Sequence, residues 1–198
     1  MVCSINGLLL IGIQGTGKSL TAKAIANDWQ LPLLKLDVGK LFGGIVGESE
    51  SRMRQMIQLS EAVSPCVLWI DEIDKADIEF PNDLLQELDR MEFYCYETDQ
   101  TIKAKHRPII IITSNNEKEL PDAFLRRCFF HFIQFPDRET MEKIVAVHYP
   151  KIKKKLVKDA LDVFFDVRKI PGLKKKPSTS ELVDWLKLLL SDDIPDEI

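Results

Sequence analysis

A lysine and a serine close a glycine-rich octet near the start of the chain. Residues Gly12–Ser19, the glycine octet, read GIQGTGKS and match G-x-x-x-x-G-K-[ST], directly after the apolar run Leu8–Ile11. Glycines let backbone N–H groups turn toward phosphate oxygens, and a following helix N-terminus adds partial positive charge. Lys18 is suited to reach the β- and γ-phosphates of a nucleotide, and the Ser19 hydroxyl is suited to bind Mg²⁺. The octet therefore predicts a site for a nucleoside triphosphate. The residues expected to contact this ligand are Gly12, Gln14, Gly15, Thr16, Gly17, Lys18, Ser19 and Leu20.

Two adjacent carboxylates, Asp71 and Glu72, end a second apolar run, Val67–Ile70. We call these two residues the acid pair. At the carboxyl-terminal tip of a parallel strand both side chains can turn toward one cleft. Asp71 is suited to hold Mg²⁺, and Glu72 is suited to polarise an attacking water. An acidic surface turn is the alternative, but the position of the pair after the glycine octet favours a hydrolytic role.

An amide follows a third apolar run, Ile109–Ile112, which leads into Thr113-Ser114-Asn115. A strand-tip amide can hydrogen-bond both a phosphate oxygen and an attacking water. We assign this sensing role to Asn115, with Asn116 as the alternative. An asparagine in a helix-capping turn is the plainer interpretation, and Asn116 is positioned for it.

An arginine pair, Arg126 and Arg127, follows a short helical pattern. The guanidinium fork is permanently charged and bidentate, so it suits a phosphate. These arginines either form local salt bridges, or one of them reaches the γ-phosphate held by a neighbouring subunit. Arg127 is the first choice for that catalytic role and Arg126 the second. An arginine supplied in trans contributes about 10³- to 10⁵-fold in rate in other nucleotide hydrolases.

The composition is that of an ordinary globular protein, with 198 residues of which 45% are hydrophobic and 29% charged. A net charge of −4 argues against nucleic acid as a partner. The four cysteines and three histidines are scattered, so we expect no zinc site and a reducing, cytoplasmic location. The apolar start of the chain has no basic region, and neither a signal peptide nor a membrane span is expected.

Strand and helix patterns alternate over residues 1–136, which predicts an α/β domain with a parallel sheet and helices on both faces. The sheet strands are expected at Leu8–Ile11, Leu33–Asp37, Val67–Ile70, Ile109–Ile112 and Phe129–Phe135. Helices are expected at Lys18–Asp28, from Ser49 to about Val63, at Asn82–Met91 and at Asp122–Arg126. The first of these helices presents Leu20, Ala24 and Ile25 as its apolar face. A hairpin is expected to pair Glu92–Glu97 with Thr101–Lys105 across the turn Thr98-Asp99-Gln100.

Only helical patterns follow Pro136, which predicts a small all-helical C-terminal domain over residues 137–198. Its helices are expected at Arg138–His148, Ile152–Val167 and Thr179–Leu190. Ser178 and Glu181 have the spacing of a capping box at the start of the last helix.

Taken in order, the glycine octet, the acid pair, the strand-tip asparagine, the arginine pair and the helical C-terminal domain resemble an AAA+ ATPase. The resemblance implies a P-loop NTPase sheet of order 5-1-4-3-2, with the C-terminal helices as a lid. It also implies Mg²⁺-dependent hydrolysis of ATP to ADP, a homo-oligomeric ring such as a hexamer, and a protein client. Hydrolysis is expected to be slow in the isolated chain, because the arginine must come from a neighbour. The competing hypothesis is a recombined or truncated module that holds ADP or ATP without efficient turnover.

The two halves resemble different branches of this family. Residues up to about Lys75 resemble the uncharacterised AAA proteins of plastids and cyanobacteria, and Leu41–Glu50 is similar to their pore loop. From Asp77 onward the chain is similar to MoxR-type ATPases. The shared stretch Asp71–Ala76 is where one sequence could cross into the other, so we expect a mosaic, whether natural or recombined.

Two positions depart from the family pattern. Ile45 stands where AAA proteins usually carry a pore-loop aromatic, which questions the threading of polypeptide. Ser178 stands where a lid arginine usually senses nucleotide, and Lys174–Lys176 are the nearby candidates to replace it.

Overall fold

The computed structural model describes residues 7–42, 55–56, 58–76, 80–81, 84, 92–95, 100–103, 107–173 and 175–191. The chain divides into two compact units. The first is Met1–Ile13 with Lys18–Ile133, and the second is Gln14–Gly17 with Gln134–Ile198. The division expected between residues 136 and 137 stays a prediction.

Seven strands are present in the part of the chain that the structure describes. They are β1 (Gly7–Ile11), β2 (Leu33–Asp37), β3 (Val67–Asp71), β4 (Glu92–Cys95), β5 (Gln100–Lys103), β6 (Ile109–Ser114) and β7 (Cys128–Phe132). Five of them form a parallel sheet of order β2-β3-β6-β1-β7. When only the five strands of this sheet are counted in chain order, the arrangement from β7 to β2 reads 5-1-4-3-2. This is the order that the family resemblance implied, so the fold prediction is confirmed.

The sheet is buried on both faces because its central strands are almost continuously apolar. Leu9, Ile70 and Ile112 are fully buried in one hydrophobic cluster, and Leu10 and Trp69 belong to the cluster on the other face. The pairs β1–β6, β1–β7 and β3–β6 each join a strand before Ala76 to one after it. The core therefore closes across the junction at which a mosaic was expected.

The last strand of the sheet is shorter than expected. β7 begins at Cys128 and ends at Phe132, whereas the apolar pattern predicted Phe129–Phe135. Gln134 already belongs to the second unit, so the aromatic run continues past the point where the chain leaves the sheet. Among the described strands β7 pairs only with β1, so it is an edge strand, and its three phenylalanines are exposed.

The hairpin is present, with a different register at its turn. Strands β4 and β5 pair antiparallel from Cys95↔Gln100 to Glu92↔Lys103. Gln100, which the sequence placed in the turn, is a strand residue, while the expected strand residues 96–97 and 104–105 lie outside the described residues. The other expected turn residues, 98–99, lie outside the described residues.

The described helices are α1 (Lys18–Asp28), α2 (Val38–Phe42), α3 (Asp122–Leu125), α4 (Arg138–His148), α5 (Lys154–Lys169) and α6 (Thr179–Leu190). Helix α2 was not expected, α3 ends one residue before Arg126, and α5 begins and ends two residues later than predicted. Residues 55–56, 58–62, 80–81 and 84 are also helical, while the remainder of the helices expected at 49–63 and 82–91 lies outside the described residues. No helix of the described ranges is both long and apolar enough to cross a membrane.

The predicted apolar face of α1 is wrong at Leu20 and Ala24, whereas Ile25 is half-buried and packs against the hydrophobic cluster as expected. Leu20 is 69% exposed and Ala24 is exposed, whereas Lys18, Ala22 and Ala26 are the buried residues of this helix. Small alanines at a spacing of four let the helix backbone approach the sheet closely. The larger leucine was a misleading signal because close packing selects for size as well as for hydrophobicity.

The second unit contains a core of its own. Helices α4, α5 and α6 bury Met141, Leu161 and Leu186 completely. The capping box at the start of α6 is confirmed, since Ser178 Oγ accepts from Glu181 N and Glu181 Oε2 accepts from Ser178 N. These reciprocal bonds satisfy backbone donors that the first helical turn leaves without partners.

Candidate functional site

The glycine octet forms a tight loop between β1 and α1. Gly15 has φ +82° and Gly17 has φ +93°, a region that residues with a side chain rarely adopt. A Cβ on Gly17 would meet nothing within 4 Å, so this position needs glycine for its backbone conformation rather than for space. The octet therefore has the left-handed turns that aim successive N–H groups at one anion.

Lys18 is the buried cation of the octet, with only 7% of its surface exposed. Its Nζ donates to the Gly12 carbonyl at 2.6 Å and to the Ile13 carbonyl at 2.9 Å. Burial lowers the pKa of Lys18, and the carboxylates of Asp74, Glu72 and Asp71 oppose that shift. The ammonium and these carboxylates therefore share one electrostatic environment.

The remaining octet residues differ in exposure. Thr16 is buried, whereas Gln14, Ser19 and Leu20 are exposed and accessible to a ligand. Mg²⁺ prefers oxygen ligands and usually takes only one or two from the protein, with nucleotide phosphates supplying others. The Ser19 hydroxyl and the Asp71 carboxylate offer oxygen ligands of that kind, so the residues present fit a Mg²⁺–nucleotide complex.

Each carboxylate oxygen of Asp71 has a partner. Thr113 Oγ1 donates to Oδ1 at 2.7 Å, and Lys35 Nζ lies 2.7 Å from Oδ2. The same ammonium lies 4.6 Å from the centre of the Trp69 ring, which favours it electrostatically. Asp71 is thus held at the tip of β3 by groups from the two neighbouring strands, β6 and β2.

Glu72 leaves the strand with an unusual backbone conformation, φ 57° and ψ 52°. Its backbone N–H donates to Thr113 Oγ1 at 3.2 Å, and this bond helps to hold the left-handed conformation. Glu72 Oε1 accepts from Asn115 Nδ2 at 3.1 Å, while Oε2 forms an ion pair with Lys75. The hydrogen bond to Glu72 raises the pKa of Lys75.

Asn115 rather than Asn116 faces the acid pair. Asn116 is exposed in a left-handed turn, φ +60°, with its N–H donating to Ser114 Oγ at 3.0 Å. The turn is anchored by Asp74, which is 3% exposed and accepts from Asn115 N at 3.2 Å and from Glu117 N at 3.0 Å. The geometry therefore favours the first choice for the sensing amide.

The arginine pair lies at the other edge of the sheet. Cys128, the first residue of β7, pairs with Gly7 at the amino end of β1, whereas the glycine octet follows Ile11 at the carboxyl end. Gly7 and Ile11 are four residues apart in β1, which corresponds to about 13 Å along the strand. The backbone of Arg126 and Arg127 is therefore remote from the acid pair of the same chain.

Four polar residues of this site were not predicted from sequence: Thr113, Asp74, Lys35 and Lys75. Asp74 and Lys75 follow the acid pair within three residues, and Thr113 is the first polar residue after the apolar run Ile109–Ile112, so their positions carried a weak signal. For Thr113 and Asp74 the partners lie 41 to 44 residues away in the chain, and only the sheet order brings them together.

Ser178 and Thr179 contact the octet residue Gly15, and all three belong to the second unit. Thr179 Oγ1 donates to the Gly15 carbonyl at 2.7 Å. A Cβ on Gly15 would lie 2.5 Å from Ser178 Cβ, which leaves no room for a side chain. The short hydroxyl side chain of Ser178 therefore stands where the family resemblance implied a nucleotide-sensing arginine.

Comparison with known proteins agrees with this geometry. The model of the ATPase family associated with various cellular activities (AAA) matches residues 8–137. The chain belongs to the AAA family of ATPases. This family assignment accounts for the order of the motifs along the sheet, from the glycine octet to the arginine pair.

The chain is similar to the uncharacterized AAA domain-containing protein ycf46 of two organisms. It is 54% identical to that of Guillardia theta over 156 residues, covering 76% of this chain and 30% of the relative. It is 46% identical to that of Trieres chinensis over 181 residues, covering 89% of this chain and 35% of the relative. The chain thus spans about a third of the length of these curated relatives.

These alignments also bear on the expected mosaic. Because they cover three quarters of the chain or more, they extend on both sides of Asp71–Ala76. The resemblance of the first half to uncharacterised AAA proteins is confirmed, and the comparisons give no support for a MoxR-type second half. Among solved structures, the AAA domain of FIGL-1 in complex with ADP superposes with a TM-score of 0.66 at 22% identity, covering 90% of this chain and 58% of that one.

Proposed function

We propose that this AAA domain binds ATP with Mg²⁺ and hydrolyses it to ADP and phosphate. The observation that carries the proposal is the contact between Asn115 Nδ2 and Glu72 Oε1 at 3.1 Å, beside Asp71 and in the electrostatic environment of Lys18. A phosphate-binding cation, a metal ligand, a base and an amide are the parts that phosphoryl transfer to water requires. The ADP bound by the similar FIGL-1 domain supports an adenine nucleotide as the ligand.

Each residue has a distinct role in this proposal. The octet N–H groups and Lys18 hold the phosphates, and Ser19 and Asp71 would hold Mg²⁺, which supplies positive charge against the phosphate oxygens. Glu72 accepts a proton from the attacking water, and Asn115 orients that water by hydrogen bonding. Lys75 shares the Glu72 carboxylate, so its position sets which oxygen of Glu72 accepts the proton.

The arginine pair acts between subunits in this proposal. Because Arg126 and Arg127 lie at the amino edge of the sheet, neither is placed to serve the acid pair of its own chain. A neighbouring subunit could present its arginine to the γ-phosphate, which requires a homo-oligomer such as a hexameric ring. Arg127 remains the first choice for this role and Arg126 the second.

The partner and the setting are inferred from the family. Family membership supports a protein client that is remodelled by the cycle of nucleotide binding and hydrolysis. The negative net charge continues to disfavour nucleic acid. The cytoplasmic location expected from the cysteines, and the MoxR-type resemblance of the second half, remain hypotheses.

A mixing experiment tests hydrolysis and the arginine together. Glu72→Gln subunits retain the arginine, whereas Arg127→Ala subunits retain the base, and each variant alone is expected to be nearly inactive. In an equimolar mixture about a quarter of the interfaces combine an intact base with an intact arginine, so about a quarter of the parent activity should return. Phosphate release per subunit is measured over a range of protein concentrations, and it should rise as subunits assemble.

The contrary outcomes are distinct. A mixture no more active than its separate components contradicts catalysis in trans by Arg127, and the same test with Arg126→Ala identifies the other arginine. A parent protein that binds ADP but stays monomeric and releases no phosphate at any concentration supports the competing hypothesis of a non-enzymatic nucleotide-binding module.

A further inference from the structure

Thr113 stands at the centre of the hydrogen bonds that join β3 to β6 beneath the acid pair. Its side chain is fully buried, with 0% of the residue exposed. Thr113 Oγ1 lies 2.7 Å from Asp71 Oδ1, 3.2 Å from Glu72 N and 3.3 Å from Trp69 Nε1. One hydroxyl therefore contacts both members of the acid pair and Trp69, which precedes Asp71 by two residues in β3.

The direction of the hydroxyl proton follows from its partners. The backbone nitrogen of Glu72 and the indole nitrogen of Trp69 each carry a hydrogen to donate and cannot accept one. The proton of Thr113 can therefore be donated only to Asp71 Oδ1, and both lone pairs of Oγ1 are used by the two donors. A buried hydroxyl with all its bonds satisfied in this way has a single favourable orientation.

We propose that Thr113 is a positioning residue that holds the Asp71 carboxylate in the orientation of a metal ligand and fixes the backbone of Glu72. The inference rests on the proposed function, since it concerns the same site. Donation to Oδ1 fixes that oxygen on the β6 side, while Oδ2 faces Lys35 of β2. The bond from Glu72 N holds the left-handed residue whose side chain contacts Asn115. Second partners of this kind orient a metal ligand without touching the metal.

Substitutions that separate the hydroxyl from the shape of the side chain test this role. Thr113→Val keeps the volume and removes the hydroxyl, whereas Thr113→Ser keeps the hydroxyl and removes a methyl group. Thr113→Cys is a third variant, with a weaker donor, in case the valine variant does not fold. Folding of each is checked by near-ultraviolet circular dichroism before any measurement of function.

Two readouts are compared for each variant. The first is the affinity for a fluorescent ATP analogue in EDTA and in excess Mg²⁺, and the second is phosphate release. We expect Thr113→Ser to stay within about 3-fold of the parent. In EDTA, Thr113→Val should bind the ATP analogue as tightly as the parent does. The increase in affinity that Mg²⁺ produces should be about 10-fold smaller than in the parent, and phosphate release should be at least about 10-fold slower. Thr113→Cys should fall between them.

Equal behaviour of the serine and valine variants, or of serine and cysteine if valine does not fold, overturns the inference. So does an equal loss of affinity in EDTA and in Mg²⁺, because a merely structural role would weaken both. The binding readout separates this inference from the proposed function. If Mg²⁺-dependent affinity falls in Thr113→Val but the parent itself releases no phosphate, hydrolysis is contradicted and the positioning role stands.

Discussion

The side-chain amide of Asn115 donates to Glu72 Oε1 at 3.1 Å, across the tips of two neighbouring strands. The amide can hold the carboxylate in place while its own carbonyl oxygen remains to accept a hydrogen bond from water. The contact links the two residues proposed to bind and activate the attacking water. Their coupling has direct consequences for substitutions at either position.

Asn115→Ala is expected to slow phosphate release by about 10- to 100-fold, because a preorganised hydrogen bond to the reacting water is removed. Nucleotide affinity should change little, since Lys18 and the octet are untouched. The matched control is Asn116→Gly, which removes the neighbouring amide and keeps its left-handed backbone available. An equal loss in the control would transfer the sensing role to Asn116.

Asp74→Ala is expected to destabilise the protein by about 1–3 kcal/mol, because two backbone N–H groups lose a buried acceptor. Phosphate release should also fall, since the turn that carries Asn115 loses its anchor. Urea unfolding followed by circular dichroism measures the first effect. Glu117→Ala is the control, because it removes an exposed side chain and keeps the N–H that Asp74 accepts. Equal stability of Asp74→Ala and Glu117→Ala would show that the anchor contributes nothing.

Glu181→Gln is expected to reduce the loss of folding stability that the second unit shows as the pH falls into the acid range. Hydrogen bonds from the Ser178 backbone, then from Lys175, lower the pKa of Glu181 to about 2. A depressed folded-state pKa contributes stability that is complete above the ordinary carboxyl pKa and is lost as pH falls from about 4.5 toward 2. The variant keeps the cap but not the charge, so its loss of stability over that interval should be smaller. Parallel pH profiles of parent and variant, measured by thermal unfolding, would contradict the assignment.

Lys18→Met is expected to abolish the thermal stabilisation that nucleotide confers. A ligand at 100 times its dissociation constant stabilises the folded state by about 2.7 kcal/mol, which is lost when the ligand no longer binds. Differential scanning fluorimetry with and without ATP measures the shift in melting temperature. Lys23→Met, an exposed lysine on the same helix, is the control and should keep the full shift. A shift that survives in Lys18→Met would place the nucleotide elsewhere.

Much of the fold could be predicted because its signals are local or general. The glycine octet and the capping box of Ser178 and Glu181 are complete within a few residues of chain. The contact between Glu72 and Asn115 follows from a general property of parallel sheets, whose carboxyl ends share one edge.

The rest depended on packing that no short window of sequence contains. Thr113 could not be assigned because its partners lie on another strand, 41 to 44 residues earlier. The buried face of α1 was missed because Ala22 and Ala26 are weakly hydrophobic, and they are buried because their small side chains let the helix lie close to the sheet. The end of β7 was misplaced because the apolar run continues beyond Phe132, where the chain leaves the sheet.

The most direct measurement is the turnover of Glu72→Gln at saturating ATP, with nucleotide affinity determined on the same sample. If Glu72 activates water at this site, affinity should stay within about 3-fold of the parent while phosphate release falls by at least about 100-fold. Phosphate release at the parental rate, with nucleotide binding retained, would contradict the proposed catalytic centre.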